Sequence, residues 1–332
     1  MTDAVHDPGV AGARVRSDTA GPAALPAFTA PSGCRVRIGT ASWTDPTMVA
    51  PGVFYPDGVA TPEARLRYYA SCFPVVEVDS TYYAIPARRT AVLWAERTPA
   101  DFVFNIKAHA LMTGQPTETA RLPRALRDAL PRTVRDKRRI YARDLPPELL
   151  DEAWSSFLDA LEPLRAAGKL GAILLQYPRW VRPSRPSAAL IEDARRRLGG
   201  RLAAVEFRHR DWMTGETRAR TLALLERNAF AYVCVDEPQG LESSVPPVTE
   251  ATSRALAVVR FHGRRSEFWE GPVARVSERF RYLYDLQQLA EWVPNVLALA
   301  ERAAEVHLIF NNCYANYGTT NAREMAAALR LR

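Results

Sequence analysis

Eight short runs of β-branched and aromatic residues recur along this chain, with helical stretches between most of them, and that alternation leaves few architectures open. The runs are VRIGTASW from Val36, VVEVDSTYY from Val75, FVFNIKAHA from Phe102 and LGAILLQYP from Leu170, then AAVEFRHRDW from Ala203, AYVCVDEP from Ala231, LAVVRFHG from Leu256 and EVHLIFNNCY from Glu305. Between them ARLRYYASC, TAVLWAERT, PELLDEAWSSFLDALEPLRAAG, RARTLALLERN and LQQLAEWVPNVLALAERA carry apolar residues at helical spacing. Strand and helix in alternation build a parallel sheet, and eight repeats fit a closed (β/α)8 TIM barrel better than a doubly wound sheet. Neither a G-x-G-x-x-G nor a Walker A sequence occurs.

The 332 residues suffice for one such α/β domain with additions. Residues 1–33, rich in Ala, Gly and Pro without a sustained period, read as a disordered tail, and residues 34–332 as a single barrel domain. After the third strand, about residues 110–147 form an unusually long connection, expected to be a lid, a binding loop or a disordered insertion. It is basic, carrying Arg121, Arg124, Arg127, Arg132, Arg135, Lys137, Arg138, Arg139 and Arg143. No run of about 18 apolar residues is present to cross a membrane. Four cysteines without C-x-x-C spacing, and no apolar leader, suggest reduced thiols and a cytoplasmic location.

Charged residues break the strands on alternate positions. In AAVEFRHRDW, Glu206 and Arg208 share one face, and an unpaired buried charge there would be very costly. Helices cover a barrel from outside, so the polar parity of each strand is expected to face inward. That rule groups Glu77 with Asp79, Asn105 with Lys107 and His109, Arg260 with His262, and His307 with Asn311; Gln176 and Asp236 join them. Most sit near the carboxyl end of their strand, where barrel enzymes place their sites.

These residues suggest an enzyme for an anionic small molecule, phosphorylated metabolites being one class of candidate. Glu206 is the candidate acid/base, with Asp236 or His262 as partner and Lys107 as electrophile or Schiff-base nucleophile. Arg208 and Arg260 would hold the anion, together with the loops after strands seven and eight: HGRRSEFWEG, and Gly318, Thr319, Thr320 and Asn321 at a helix start. Asp79, Tyr82, Gln176, His209, Trp212, Asn311 and Asn312 complete the candidate binding set. No cofactor is required by any motif; a divalent metal on His109, Glu206, His209, Asp236 and His262 is geometrically conceivable. The alternatives are a nucleic-acid-binding or processing protein that uses the basic insertion, with Tyr82, Tyr83, Trp212 and Tyr317 as stacking surfaces, and a binding module without chemistry.

From Val36 onward the chain resembles the YecE-like family, domain of unknown function 72. The resemblance rests on IGTASW, GVFYP, VEVDSTYY, FNIKAHA, LLQYP, VEFRHRDW, VRFHG and IFNN followed by Asn321 and Ala322. It implies a (β/α)8 barrel and no defined substrate, reaction or catalytic residue. The family pattern usually has Asn where this chain has Asp79, and Phe where it has Tyr82 or Tyr83.

Overall fold

The computed structural model describes residues 24–271 and 276–330. Its eight long strands are β1 (Arg35–Thr40), β2 (Val75–Val78), β3 (Val103–Lys107), β4 (Leu170–Tyr177), β5 (Ala203–Phe207), β6 (Ala231–Asp236), β7 (Leu256–Phe261) and β8 (Glu305–Phe310). Each pairs in parallel with its neighbour in sequence, and β8 pairs with β1 from Glu305↔Arg35 to Phe310↔Thr40, closing the sheet into a barrel. Every one of the eight runs read from the sequence is a barrel strand.

The helical ring is α1 (Pro62–Cys72), α2 (Arg88–Glu96), α3 (Pro147–Ala166), α4 (Arg185–Leu198), α5 (Gly215–Arg227), α6 (Leu286–Ala300) and α7 (Tyr317–Arg330). Helix α3 shows the packing rule: Trp154, Phe157, Leu161 and Leu164 recur at three- and four-residue spacing and are all buried. Helix starts are set by local chemistry. Thr61 caps α1 by accepting from the Ala64 N–H at 3.1 Å, and Asp285 and Gln288 form a reciprocal capping box on α6. Between β6 and β7 there is no helix; there the Thr252 hydroxyl accepts from the Tyr232 N–H and donates to the Phe230 carbonyl, both at 2.7 Å.

Two side-chain sizes let the barrel close. A Cβ on Gly39 would overlap the Val75 carbonyl, so only glycine allows β1 to approach β2 where the pairing is thinnest. The β3–β4 register shifts between Phe104 and Ile106. Asn105 fills the gap: its Oδ1 accepts from the Ala172 N–H at 3.0 Å, over a Gly171 whose Cβ would strike that same oxygen.

One sequence expectation changes and another is narrowed. Residues 1–23 of the expected tail lie outside the described residues, but residues 24–33 are ordered. Phe28–Thr29 pairs antiparallel with Arg35 and Val36, the Leu25 N–H donates to the Cys72 carbonyl at 2.9 Å, and Leu25 and Ala30 are buried. Burial and borrowed hydrogen bonds offset ordering that composition alone would not support. The insertion is also structured. Strands Thr117–Glu118 and Arg139–Ile140 form a hairpin, two short helices (Arg124–Ala129, Arg132–Arg135) lie between them, and Leu111, Leu122, Leu130, Ile140 and Leu145 form an apolar cluster against which Val134 and the α3 residues Leu149 and Leu150 pack.

Gly39→Ala should lower the free energy of unfolding by about 2 kcal/mol, the scale for overpacking a tight contact. Urea melts that place the variant within error of the parent would show that β1 and β2 do not touch this closely.

Candidate functional site

Inside the barrel the inward side chains stack in polar tiers. Nearest the amino ends of the strands, His307 Nδ1 meets Asn105 Oδ1 at 3.1 Å and its Nε2 meets Glu305 at 3.0 Å, with Arg37 3.5 Å from the same carboxylate. This tier seals the end of the barrel that enzymes of this architecture use for stability.

The next tier is ionic. The Arg260 guanidinium, fully buried, spans two carboxylates: Nη2 reaches Glu77 Oε1 at 2.5 Å and Nη1 donates to Glu206. Gln176 Nε2 donates to Glu206 Oε1 at 2.7 Å. Arg208 then links this tier to the mouth. Its Nε lies 2.7 Å from Glu206 Oε1, its Nη1 donates to Glu237 Oε2 at 2.9 Å, and its guanidinium lies 4.9 Å from the centre of the Trp269 ring. Asn311 Nδ2 is 2.8 Å from His262 Nδ1; donation there puts the imidazole proton on Nε2, which faces Glu206 Oε1 at 3.3 Å.

The environment sets the charges. Burial alone would raise Glu206, but Arg208 and Arg260 hold its carboxyl well below the usual range. Burial pushes Glu77 up to about 7 against the pull of Arg260, and Glu237 up to about 8 against that of Arg208. Burial, with Arg208 beside it, pushes His262 down to about 3, so the imidazole is neutral.

Above this floor opens a cavity of about 440 Å³. Its polar wall is Asp79, Lys107, Arg179, Arg208, Glu270 and Arg279, and its aromatic wall Tyr82, Tyr83, Trp180, Trp269 and Phe280; Gln115, Gln176 and Asn311 also reach it. Lys107 Nζ pairs with Asp79 at 3.3 Å and sits 5.2 Å above the Tyr82 ring. The Tyr82 hydroxyl donates to Gln115 Oε1 at 2.9 Å, tying the insertion to the rim. Two other depressions, of about 450 and 920 Å³, open at the amino ends of the strands, the end opposite this cavity.

Of the residues expected at the site, Lys107, Asp79, Tyr82, Gln176, Arg208 and Asn311 line the cavity. Glu206, Arg260 and His262 lie beneath it with no exposed surface, so they act on a ligand only through Arg208, Gln176 or Asn311. Asp236 does not join them. It faces outward between sheet and helix, accepting from Trp292 Nε1 at 2.6 Å, Tyr284 Oη at 2.8 Å and Arg264. The polar-parity rule fails on β6 because the outer layer supplies its own donors; Glu237 is the inward carboxylate.

Four further expectations move. The His209 ring is buried, its Nε2 3.1 Å from Glu242 and its Nδ1 accepting from the Asp211 N–H. Trp212 stacks on Phe207 at 4.3 Å and donates to the Val181 carbonyl, and Tyr317 is buried as well, so neither offers a stacking face. Asn312 donates to the Tyr282 carbonyl and to Asn321. Gly318, Thr319, Thr320 and Asn321 are buried in the first turn of α7, where Thr319 Oγ1 donates to the Asn316 carbonyl and Asn321 Nδ2 to the Tyr284 carbonyl. That helix start packs instead of facing the cavity. Of the residues named for a metal only Glu206 and His262 meet, at 3.3 Å; His109 touches Thr117, His209 meets Glu242 and Asp236 faces outward, and no group of three His, Cys, Asp or Glu that could hold a metal ion is found among the described residues.

Sequence reasoning missed Arg179, Trp180, Arg279 and Glu237. The signal for the first two was available, since they directly follow QYP at the carboxyl end of β4.

The sequence matches a family described as "Protein of unknown function DUF72" over residues 37–332. It is 28% identical to the UPF0759 protein YunF of Bacillus subtilis over 297 residues, 89% of this chain and 94% of that one. Two crystal structures of DUF72 family proteins are similar. One, from Thermotoga maritima, has a TM-score of 0.70 at 28% identity, covering 89% of this chain and 99% of its own; the other, from Enterococcus faecalis, has 0.69 at 26%, covering 90% and 98%.

A carboxyl raised by folding binds its proton more tightly in the native state, so its stabilisation is complete below the unfolded value and is lost as pH rises through the folded one. For Glu77 and Glu237 the loss spans about pH 5 to 8. Unfolding free energy should fall across that window, and Glu237→Gln should remove up to about 1.4 kcal/mol per pH unit of the slope. Identical slopes in parent and variant would mean that Glu237 stays ionised beside Arg208.

Proposed function

The chain belongs to the DUF72 family of proteins of unknown function, and on that premise we propose that its barrel mouth binds a small anionic molecule, of the size of a phosphorylated metabolite, and acts on it by acid/base chemistry. The observation that carries this reading is a crowd of cations. Arg179, Arg208 and Arg279 line one cavity with Lys107, against only two carboxylates, Asp79 and Glu270. Glu270 is already engaged by the Ser243 N–H and hydroxyl at 3.0 and 2.7 Å. Among the described residues Arg179 and Arg279 have no carboxylate partner; Arg279 donates to the Phe268 and Gly271 carbonyls. Burial first, then the nearby Arg208 and Arg179, lowers the Arg279 pKa, so the site disfavours its own charge until an anion enters.

Arg208 supplies the fixed point. The Glu206 carboxylate, the Glu237 carboxyl group and an indole face hold its guanidinium, leaving 16% of the side chain exposed toward the cavity. A ligand then meets a donor that loses little freedom on binding. Proton transfer falls to groups that touch the cavity: Lys107, its partner Asp79, and the Tyr82 hydroxyl. Glu206, sealed and held ionised, positions Arg208 and Gln176 and does not itself carry protons.

Thermal-shift and calorimetric titrations with inorganic phosphate, sugar phosphates and nucleoside monophosphates should find ligands that raise the melting temperature. Arg179→Ala, at an exposed position, should leave the unliganded melting temperature unchanged and weaken the best ligand about tenfold, the worth of one charge-assisted hydrogen bond. An equal affinity in parent and variant would remove the cation cluster as the binding determinant.

A further inference from the structure

Four large hydrophobic side chains stand exposed among the described residues: Tyr83, Trp180, Leu202 and Leu286. Two of them, Tyr83 and Trp180, lie on the rim of the same cavity. Trp180 is 56% exposed and is pinned by its edge, Nε1 lying 3.4 Å from the Gly114 carbonyl at the root of the insertion. An aromatic ring fixed by its edge offers its face at little entropic cost.

The insertion carries nine basic residues against four acidic ones, most of the formal +7 charge of the chain. Part of that charge is compensated locally by the pairs Arg121–Glu118, Arg124–Asp128 and Lys137–Asp144. Arg132, Arg135, Arg138 and Arg139 are exposed, and among the described residues none has a carboxylate partner. Rim and insertion are continuous: the Arg121 guanidinium lies 5.7 Å from the centre of the Tyr83 ring, and the Tyr82 hydroxyl donates to Gln115 at 2.9 Å. The apolar cluster of the insertion, backed by Leu149 and Leu150 of α3, keeps these arginines on a folded platform.

We infer that this surface binds single-stranded nucleic acid, with a base on Trp180 or Tyr83 and the sugar-phosphate backbone along the arginines of the insertion. Every nucleobase has a π face, so stacking of this kind tolerates any sequence, and each stacked base contributes about 1–3 kcal/mol. A duplex keeps its bases stacked on one another and cannot offer them to the rim. A small anion alone uses only the cavity floor and leaves the arginines of the insertion without a ligand. The inference extends the reading above to a second, larger surface, and the two fail separately.

The test is fluorescence anisotropy of the full chain with a labelled oligothymidylate of roughly twelve nucleotides. If four phosphates are neutralised, affinity should drop about fifty-fold between 50 and 200 mM salt. A quadruple variant, Arg132→Ser, Arg135→Ser, Arg138→Ser and Arg139→Ser, should lose most of that affinity and most of its salt dependence while keeping the parent's response to inorganic phosphate. Trp180→Ala should weaken the oligonucleotide about tenfold and leave the unliganded melting temperature unchanged. Equal affinity in parent and quadruple variant overturns the inference, as does a duplex of the same length that binds as tightly as the single strand. If nucleoside monophosphates bind but the oligonucleotide binds no tighter, the strand-binding inference fails and the cavity reading stands. If the oligonucleotide binds as expected while Arg179→Ala changes no small-anion affinity, the cavity reading fails and the strand-binding surface stands.

Discussion

A guanidinium in the middle of a barrel has to be neutralised where it stands, and Arg260 meets that demand with Glu77 from β2 and Glu206 from β5. The three side chains come from strands well separated around the ring, so the ion triplet ties opposite walls together. Similar volumes of aliphatic residues would generally fill such a space at equal or lower free energy. What the triplet adds is orientation. It fixes the carboxylate of Glu206, that carboxylate fixes Arg208 and Gln176, and those two form part of the cavity floor.

Removing one member therefore propagates. Losing Arg260 would leave two buried carboxylates facing each other, with Glu77 taking a proton first because burial already favours its neutral form. Losing Glu206 would free Arg208 to swing toward Glu237 alone. The polar tiers transmit position from a sealed interior to an open mouth through short, directed contacts.

Most of the architecture was legible in the sequence because strand and helix periods are local properties. VVEV, AAVEF and LAVVRF each declare a strand without reference to anything else. The facing of residues was legible only where outer helices are apolar. On β6 that condition fails, since Trp292 and Tyr284 bring an indole N–H and a phenol to Asp236, and one position of difference exchanged it for Glu237. The Gly-Thr-Thr-Asn segment at α7 has the composition of an anion site, but whether its amides face a cavity or a neighbouring chain segment depends on how Tyr282 and Tyr284 pack, which no local pattern encodes. Arg279 is illegible for the same reason: an arginine without a carboxylate partner looks, in sequence, like any other arginine, whereas Arg179 is marked by its place directly after the QYP that ends β4.

The insertion has an apolar cluster distinct from the one that holds the barrel together. This platform is joined to the barrel by Leu149 and Leu150 of α3, which pack against its cluster, and by polar links from Tyr82 to Gln115, from Gln115 to the Gln176 carbonyl and from Trp180 to the Gly114 carbonyl. A barrel built this way can exchange the cassette above its mouth while the interior network keeps its geometry, so the breadth of what enters the site and the chemistry of its floor are free to diverge independently.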